Sequence, residues 1–478
     1  MLWWVEDMLC RGITGDLWMV CLARLALCLM MTNLVFLLLY YRFRELVLLR
    51  QKGVGMVKKH FGSSPVQRKI SLEEGCLLGL LKEEITRGTT GQDMELVDVE
   101  AAVSDGGKTW ERADLEKVCQ MAQKHGVLSL VYEGLAGREA VPQSVRDRVT
   151  EAARRAVRQS YHILFLSKFL ISRLEAADIK VALLKGVGTA VCYPVPELRK
   201  TGDVDLLLID PKSLDRAKEI LLQCELHVSD EQNMQHHVVF VAEAGIEVEL
   251  HTMLAEPFDN QSINRYLQEK QLDCGRNIQR LNCMGVELPV LATGYHAYEL
   301  LLHMLQHFLR AGFGLRLLCD WAVFWNRKTE SEEREKYLIL VQESGLRGFS
   351  DMITMFCCDY LGLKRERIAW MNIKGQYDTK GFLWEILEAE EFGKSAVDRM
   401  VTLRENSLGA YVREFHHQMH LNFPKTGKYF PLWPGLWLVT LVRFLRNNRR
   451  IRGVSVRAVL KKAGQRSRVM EQIRLWKK

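Results

Sequence analysis

The first 60 residues are dominated by one apolar run. Trp18 to Tyr41 (WMVCLARLALCLMMTNLVFLLLYY) is 24 residues long with Arg24 as its only charge, enough for the ~20 apolar residues that a membrane-crossing helix needs. Arg42, Arg44, Arg50, Lys52, Lys58 and Lys59 follow it, and Glu6, Asp7 and Asp16 precede it. If the run spans, the positive-inside rule keeps everything C-terminal in the cytoplasm, tethered through Trp18–Tyr41. A signal peptide is disfavoured because the basic cluster follows the apolar run instead of preceding it. Two other readings stay open: a buried amphipathic helix, and translation starting at Met56.

From Ser71 the spacing becomes that of a folded helical region. Ser71 and Glu74 form a capping box ahead of CLLGLLKEEI, whose apolar positions recur at helical intervals. The polar stretch 87–107 predicts a loop, and helices follow over Asp114–His125 and from Pro142 to Ala177. Then the period changes. IKVALL (179–184), DVDLLLI (203–209), HHVVFVA (236–242) and IEVELH (246–251) are short and β-branched or alternating, the signature of strands in one small sheet. Beyond Pro289 the pattern is helical again. The expected division is an N-terminal segment 1–60, a helical region 71–175, a sheet-bearing core 175–290, a helical region 291–430 and a helical tail 431–478.

Composition narrows the class. With 478 residues, 48% of them apolar and 26% charged, the chain excludes a disordered, collagen-like or polytopic membrane protein. Its twelve cysteines form no Cys-x-x-Cys pair, which points to reduced thiols in place of a zinc ribbon or redox motif. The net charge of +8 is unevenly placed. From Pro431 to Lys478 thirteen basic residues face a single acid, Glu471, a net +12 that leaves −4 over the rest. Residues 433–478, with aromatic and aliphatic side chains between the arginines, therefore predict contact with nucleic acid or an anionic membrane, or else a solvated basic helix.

The chemistry is concentrated in LLKGVGTAVCYPVPELRKTGDVDLLLID (183–210). Asp203 and Asp205, two residues apart on a strand, point to one face and can converge on a divalent cation. Ile246 to His251 alternates without a break, placing Glu247, Glu249 and His251 together on one face. An Asp-x-Asp on one strand plus an acid on the next is what two-metal phosphoryl chemistry needs. His303 and His307, at i and i+4, lack the further ligand that a zinc site requires. No Walker A sequence occurs, and Gly186-x-Gly188 lacks the rest of a dinucleotide fingerprint.

In order and spacing, LLKG (183–186), YP (193–194), Arg199, GDVDLLL (202–208) and VELH (248–251) resemble the nucleotidyltransferase superfamily that includes DNA polymerase beta. The likeness is closer to its uncharacterised nucleotidyltransferase branch, and HMLQHF and GLRLLCD (303–308, 314–320) extend it. The resemblance implies an α+β fold, a small mixed β-sheet core flanked by N-terminal and C-terminal helical regions. It also implies Asp203, Asp205 and Glu249 as catalytic metal ligands for Mg2+ or Mn2+, and a nucleotide triphosphate as substrate. The wider superfamily has Gly-Ser or Gly-Gly before its first helix, where this chain has Lys185-Gly186. Lys185, Gly186 and Arg199 are then the candidates for phosphate binding, with an ion pair as the other reading of Arg199, and His251 stays unassigned. The implied reaction is transfer of a nucleoside monophosphate to an unidentified hydroxyl acceptor. Its alternatives are a toxin-like transferase acting on tRNA and a degenerate member that binds nucleotide or a partner without turnover.

Overall fold

A computed structural model describes residues 69–87 and 109–389, apart from 230–236, 243–244, 259, 311 and 329–330, together with scattered residues between 416 and 475 that include 429–447. The run Trp18–Tyr41, most of the loop expected at 87–107 and the basic side chains of the tail lie outside the described residues. Two compact units divide the chain, Ile70–Ser407 with Arg457–Lys478, and Met1–Lys69 with Leu408–Val456.

The first described helix, Leu72–Thr86, begins as its sequence dictates. Ser71 Oγ accepts from the Glu74 amide at 3.1 Å, and Glu74 Oε2 accepts from the Ser71 amide at 2.8 Å, satisfying two of the helix's otherwise orphaned donors. Asp114 caps the helix Leu115–Lys124 by accepting from the Lys117 amide. Pro142 precedes the 34-residue helix Gln143–Ala176, where its fixed φ suits the entry. Among the described residues no helix is long and apolar enough to cross a membrane.

The strands are β1 (Val181–Leu184), β2 (Val204–Leu208), β3 (His227–Val228), β4 (His237–Val241), β5 (Glu247–His251), β6 (Ile278–Cys283) and β7 (Val286–Leu291). They form one mixed sheet in the order β3-β4-β5-β2-β1-β7-β6, with β2 parallel to β5, β1 parallel to β7 and the other neighbours antiparallel. The fold is α+β. The β6–β7 hairpin is not predicted by the alternation. Met284 (φ 51°) and Gly285 (φ 86°) make its two-residue turn with positive φ at both positions, the mirror-image turn whose twist matches a hairpin.

Alternation along the strands gives the sheet two different faces. Val181, Leu183, Val204, Leu206, Val248 and Leu250 pack with Ile163, Leu170 and Leu174 of the long helix. Ala182, Leu184 and Leu207 belong instead to the core shared with the helices Thr293–Arg310 and Leu315–Arg327. The second face carries the acids. Beyond it follow the helices Ser331–Glu343, Arg347–Tyr360 and Thr379–Ala389. In the other unit the helix Trp433–Asn447 is preceded by a 3-10 turn, Phe430–Leu432.

Candidate active site

Parallel pairing of β2 with β5 sets Asp205 directly opposite Glu249. Asp203 lies two residues earlier, just before β2 begins, and so shares the face of Asp205. One ligand oxygen from each of Asp203, Asp205 and Glu249 lies within 4.8 Å of the others. Asp205 is buried and Asp203 is the most open of the three. Three carboxylates without a soft donor match the preference of Mg2+ and Mn2+ for oxygen.

Two cations stand against these acids. Lys185 Nζ lies 2.9 Å from Asp205 Oδ1. His251 Nε2 contacts the same oxygen at 2.9 Å and Glu249 Oε2 at 3.2 Å. The proton affinities follow from this crowding. Repulsion by Asp205, then burial, pushes Asp203 up to about 6. Burial would raise Asp205 too, but Lys185 and the hydrogen bond from His251 hold it well below the usual carboxylate range. Burial disfavours the imidazolium of His251, yet its bonds to Asp205 and Glu249 lift it to about 9. For Lys185 burial is likewise outweighed, by Asp205 first and then Glu299, Asp203 and Glu249, so its pKa lies above the ordinary value.

Lys185 sits where the strand turns into the helix Gly186–Ala190, with φ 45° and ψ −139°, a region that side-chain-bearing residues rarely enter. Gly186 follows at φ 43°. That helix is only five residues long, so its dipole adds little to anion binding, and the charge expected there comes from Lys185 itself. Arg199 is placed by the other of its two readings. Its side chain is 2% exposed, with Nε 2.8 Å from Asp320 Oδ1 and Nη2 2.8 Å from Asp320 Oδ2, a bidentate pair that Tyr193 completes by donating to Asp320 Oδ1 at 2.8 Å. A guanidinium enclosed in this way packs the 193–199 segment onto the helix Leu315–Arg327, and both arms of its fork are taken by Asp320.

The helix Thr293–Arg310 faces the acids. His303 and His307 contact each other edge to face, ring centroids 4.5 Å apart, and both are half-buried. Burial, then the charges of Lys185 and Arg316, push His307 down to about 4, and His303 falls well below its usual value for similar reasons. Both are neutral rings beside the site. Four residues before His303 on the same stripe is Glu299, which the sequence reading missed. It is 3% exposed, and its Oε2 has no hydrogen-bond partner. Burial pushes its pKa up to about 7, against the pull of Lys185. His237 is not singled out by the sequence either; it lies at the start of the expected strand 236–242, and its pairing with His251 is given only by the register of β4 on β5.

The family described as "Uncharacterised nucleotidyltransferase" matches residues 111–362, a span that takes in the whole sheet. Among solved structures the chain is similar to the crystal structure of an antigenic nucleotidyltransferase-like protein from Paracoccidioides brasiliensis. That protein is 19% identical, with 38% of this chain and 88% of that one covered and a TM-score of 0.25. No curated protein matches the chain.

Proposed function

We propose that this chain, which belongs to the uncharacterised nucleotidyltransferase family, moves a nucleoside monophosphate from a nucleotide triphosphate to a hydroxyl-bearing acceptor at the Asp203–Asp205–Glu249 cluster. The observation that carries the reading is the convergence of these three carboxylates from two paired strands. Divalent cations held by them would activate the attacking hydroxyl and neutralise charge on the phosphates. The strand register holds Asp205 and Glu249 in place before any ligand arrives, so little ordering remains at the moment of reaction. Asp203, the most open of the three, borders the approach for substrate. Lys185 puts a fixed positive charge beside the acids where the wider superfamily uses Gly-Ser, and is the group we assign to the triphosphate.

One observation favours a second reading, binding of nucleotide or a partner without turnover. Lys185 and His251 already balance Asp205, so its charge is met by the chain's own cations before any metal binds.

The test is to incubate the protein with each labelled triphosphate, Mg2+ and separate pools of tRNA, protein and small metabolites. Asp203→Asn, Asp205→Asn and Glu249→Gln should each lower transfer by at least ~10²–10³-fold, since each keeps its shape and loses a ligand charge. Glu247→Gln, on the same face but outside the cluster, should keep most activity. Absence of any Mg2+-dependent triphosphate consumption by the wild type gives the second reading the site.

A further inference from the structure

We propose that His237, His251 and Glu249 form a second cation site, chemically distinct from the all-oxygen cluster and suited to a divalent transition ion such as Zn2+. The site follows from the register of two neighbouring strands. In the antiparallel pairing of β4 with β5, His237 stands directly opposite His251, and Glu249 is opposite Val239 on the same face. The alternate residues Val238, Phe240, Val248 and Leu250 turn to the buried core behind. One ligand atom from each of the three side chains lies within 4.8 Å of the others. The two imidazoles are 5.5 Å apart between ring centroids and tilted by 48°.

The donors decide which ion the site takes. Imidazole nitrogen suits Zn2+ and its neighbours in the first transition row, whereas Mg2+ keeps to oxygen. Two nitrogens and a carboxylate leave a fourth position open, as in catalytic zinc sites, with Zn2+ displacing the proton that His251 shares with Asp205 and Glu249. His237 is 8% exposed, and the side chains of His251 and Glu249 are 12% and 23% exposed, sheltered yet within reach of an ion. Glu249 belongs to both groups, so the sheet face sorts cations by hardness: oxygen donors on the Asp203 side and nitrogen donors on the His237 side. The site does not depend on nucleotidyl transfer, because none of its three ligands needs a nucleotide to be in place; Asp205 reaches it only through its bond to His251 Nε2.

The test titrates metal-stripped full-length protein with Zn2+ by calorimetry, in excess Mg2+. One equivalent should bind despite the Mg2+, and Zn2+ should raise the melting temperature beyond whatever rise Mg2+ alone gives. Losing a ligand should weaken binding at least as much as losing an outer-shell partner, so His237→Gln should reduce Zn2+ affinity by roughly 10–100-fold or more. Asp203→Asn should leave it unchanged, which separates this site from the catalytic reading. Co2+ in place of Zn2+ should give the wild type the intense visible absorption of a low-coordinate ion with nitrogen ligands, a readout that stands even if His237→Gln does not fold. Equal Zn2+ affinity in wild type and a folded His237→Gln, displacement of Zn2+ by Mg2+, or a Co2+ spectrum like that of the hydrated ion would each overturn the proposal.

Discussion

Lys185 combines two opposing contributions in one residue. Its backbone, at φ 45° and ψ −139°, is strained by roughly 1–3 kcal/mol, while its ammonium balances the buried Asp205. Comparing two variants separates the effects. Lys185→Ala and Lys185→Gly both remove the cation and its stem, but only glycine relaxes the backbone, so the glycine variant should be the more stable of the two by about 1–3 kcal/mol in urea unfolding. Equal stabilities would mean that the strain is absent. Glu299 gives a pH prediction of definite sign. Its folded pKa, about 7, lies above its ordinary value of 4.5, so between those pH values the folded state retains a proton that the unfolded chain releases. Stability therefore falls as pH rises through that window, and the loss is complete above it. Glu299→Gln should match the wild type at about pH 4 and exceed it by on the order of 3 kcal/mol at about pH 8. An advantage independent of pH would rule this cause out.

Between elements, the Arg199–Asp320 pair ties the segment entering β2 to the helix Leu315–Arg327. Removing one partner leaves the other charge buried, so Asp320→Ala should destabilise by about 3–5 kcal/mol, while Arg199→Met with Asp320→Leu should cost less than Asp320→Ala alone. A double variant as unstable as the two single losses added together would mean that the residues act independently. The pair also marks the limit of what the sequence could tell. Strands β1, β2, β4 and β5 were legible because each alternates or is β-branched, and the box at Ser71 and Glu74 announced its helix. Which acids share a face followed from a period of two. Depth and distant partners did not follow. Arg199 has the charge of a phosphate ligand, but its true partner is 121 residues away. The hairpin β6–β7 was hidden by its turn, where Met284 stands in place of the usual Asn or Asp before Gly285, and by Pro289, a residue that argues against an interior strand. Glu299 was obscured because one acid in an apolar helix has no pattern of its own.

Across the whole molecule the charge is lopsided, with +12 in residues 431–478 against −4 elsewhere. If that tail holds tRNA, affinity should fall steeply between about 50 and about 200 mM salt, each phosphate contact adding roughly 0.7–0.9 to the log–log slope, and replacing Arg443, Arg446, Arg449, Arg450 and Arg452 by Gln should flatten it. Salt-insensitive binding, or binding to anionic vesicles and not to tRNA, would exclude a nucleic-acid role for the tail. The order of the sheet has a consequence for how the chain is made. Of the described strands β1 is the first to leave the ribosome, yet one of its neighbours is β7, which begins at Val286. Synthesis at about 5–20 residues per second separates the two by roughly 5–20 s. Through that interval the wholly apolar VALL of β1 has one open edge, an invitation to pair with another nascent chain. The interior position of β7 thus makes the sheet a late product of translation, closed only once the hairpin has emerged, and gives a holding chaperone its period of greatest use.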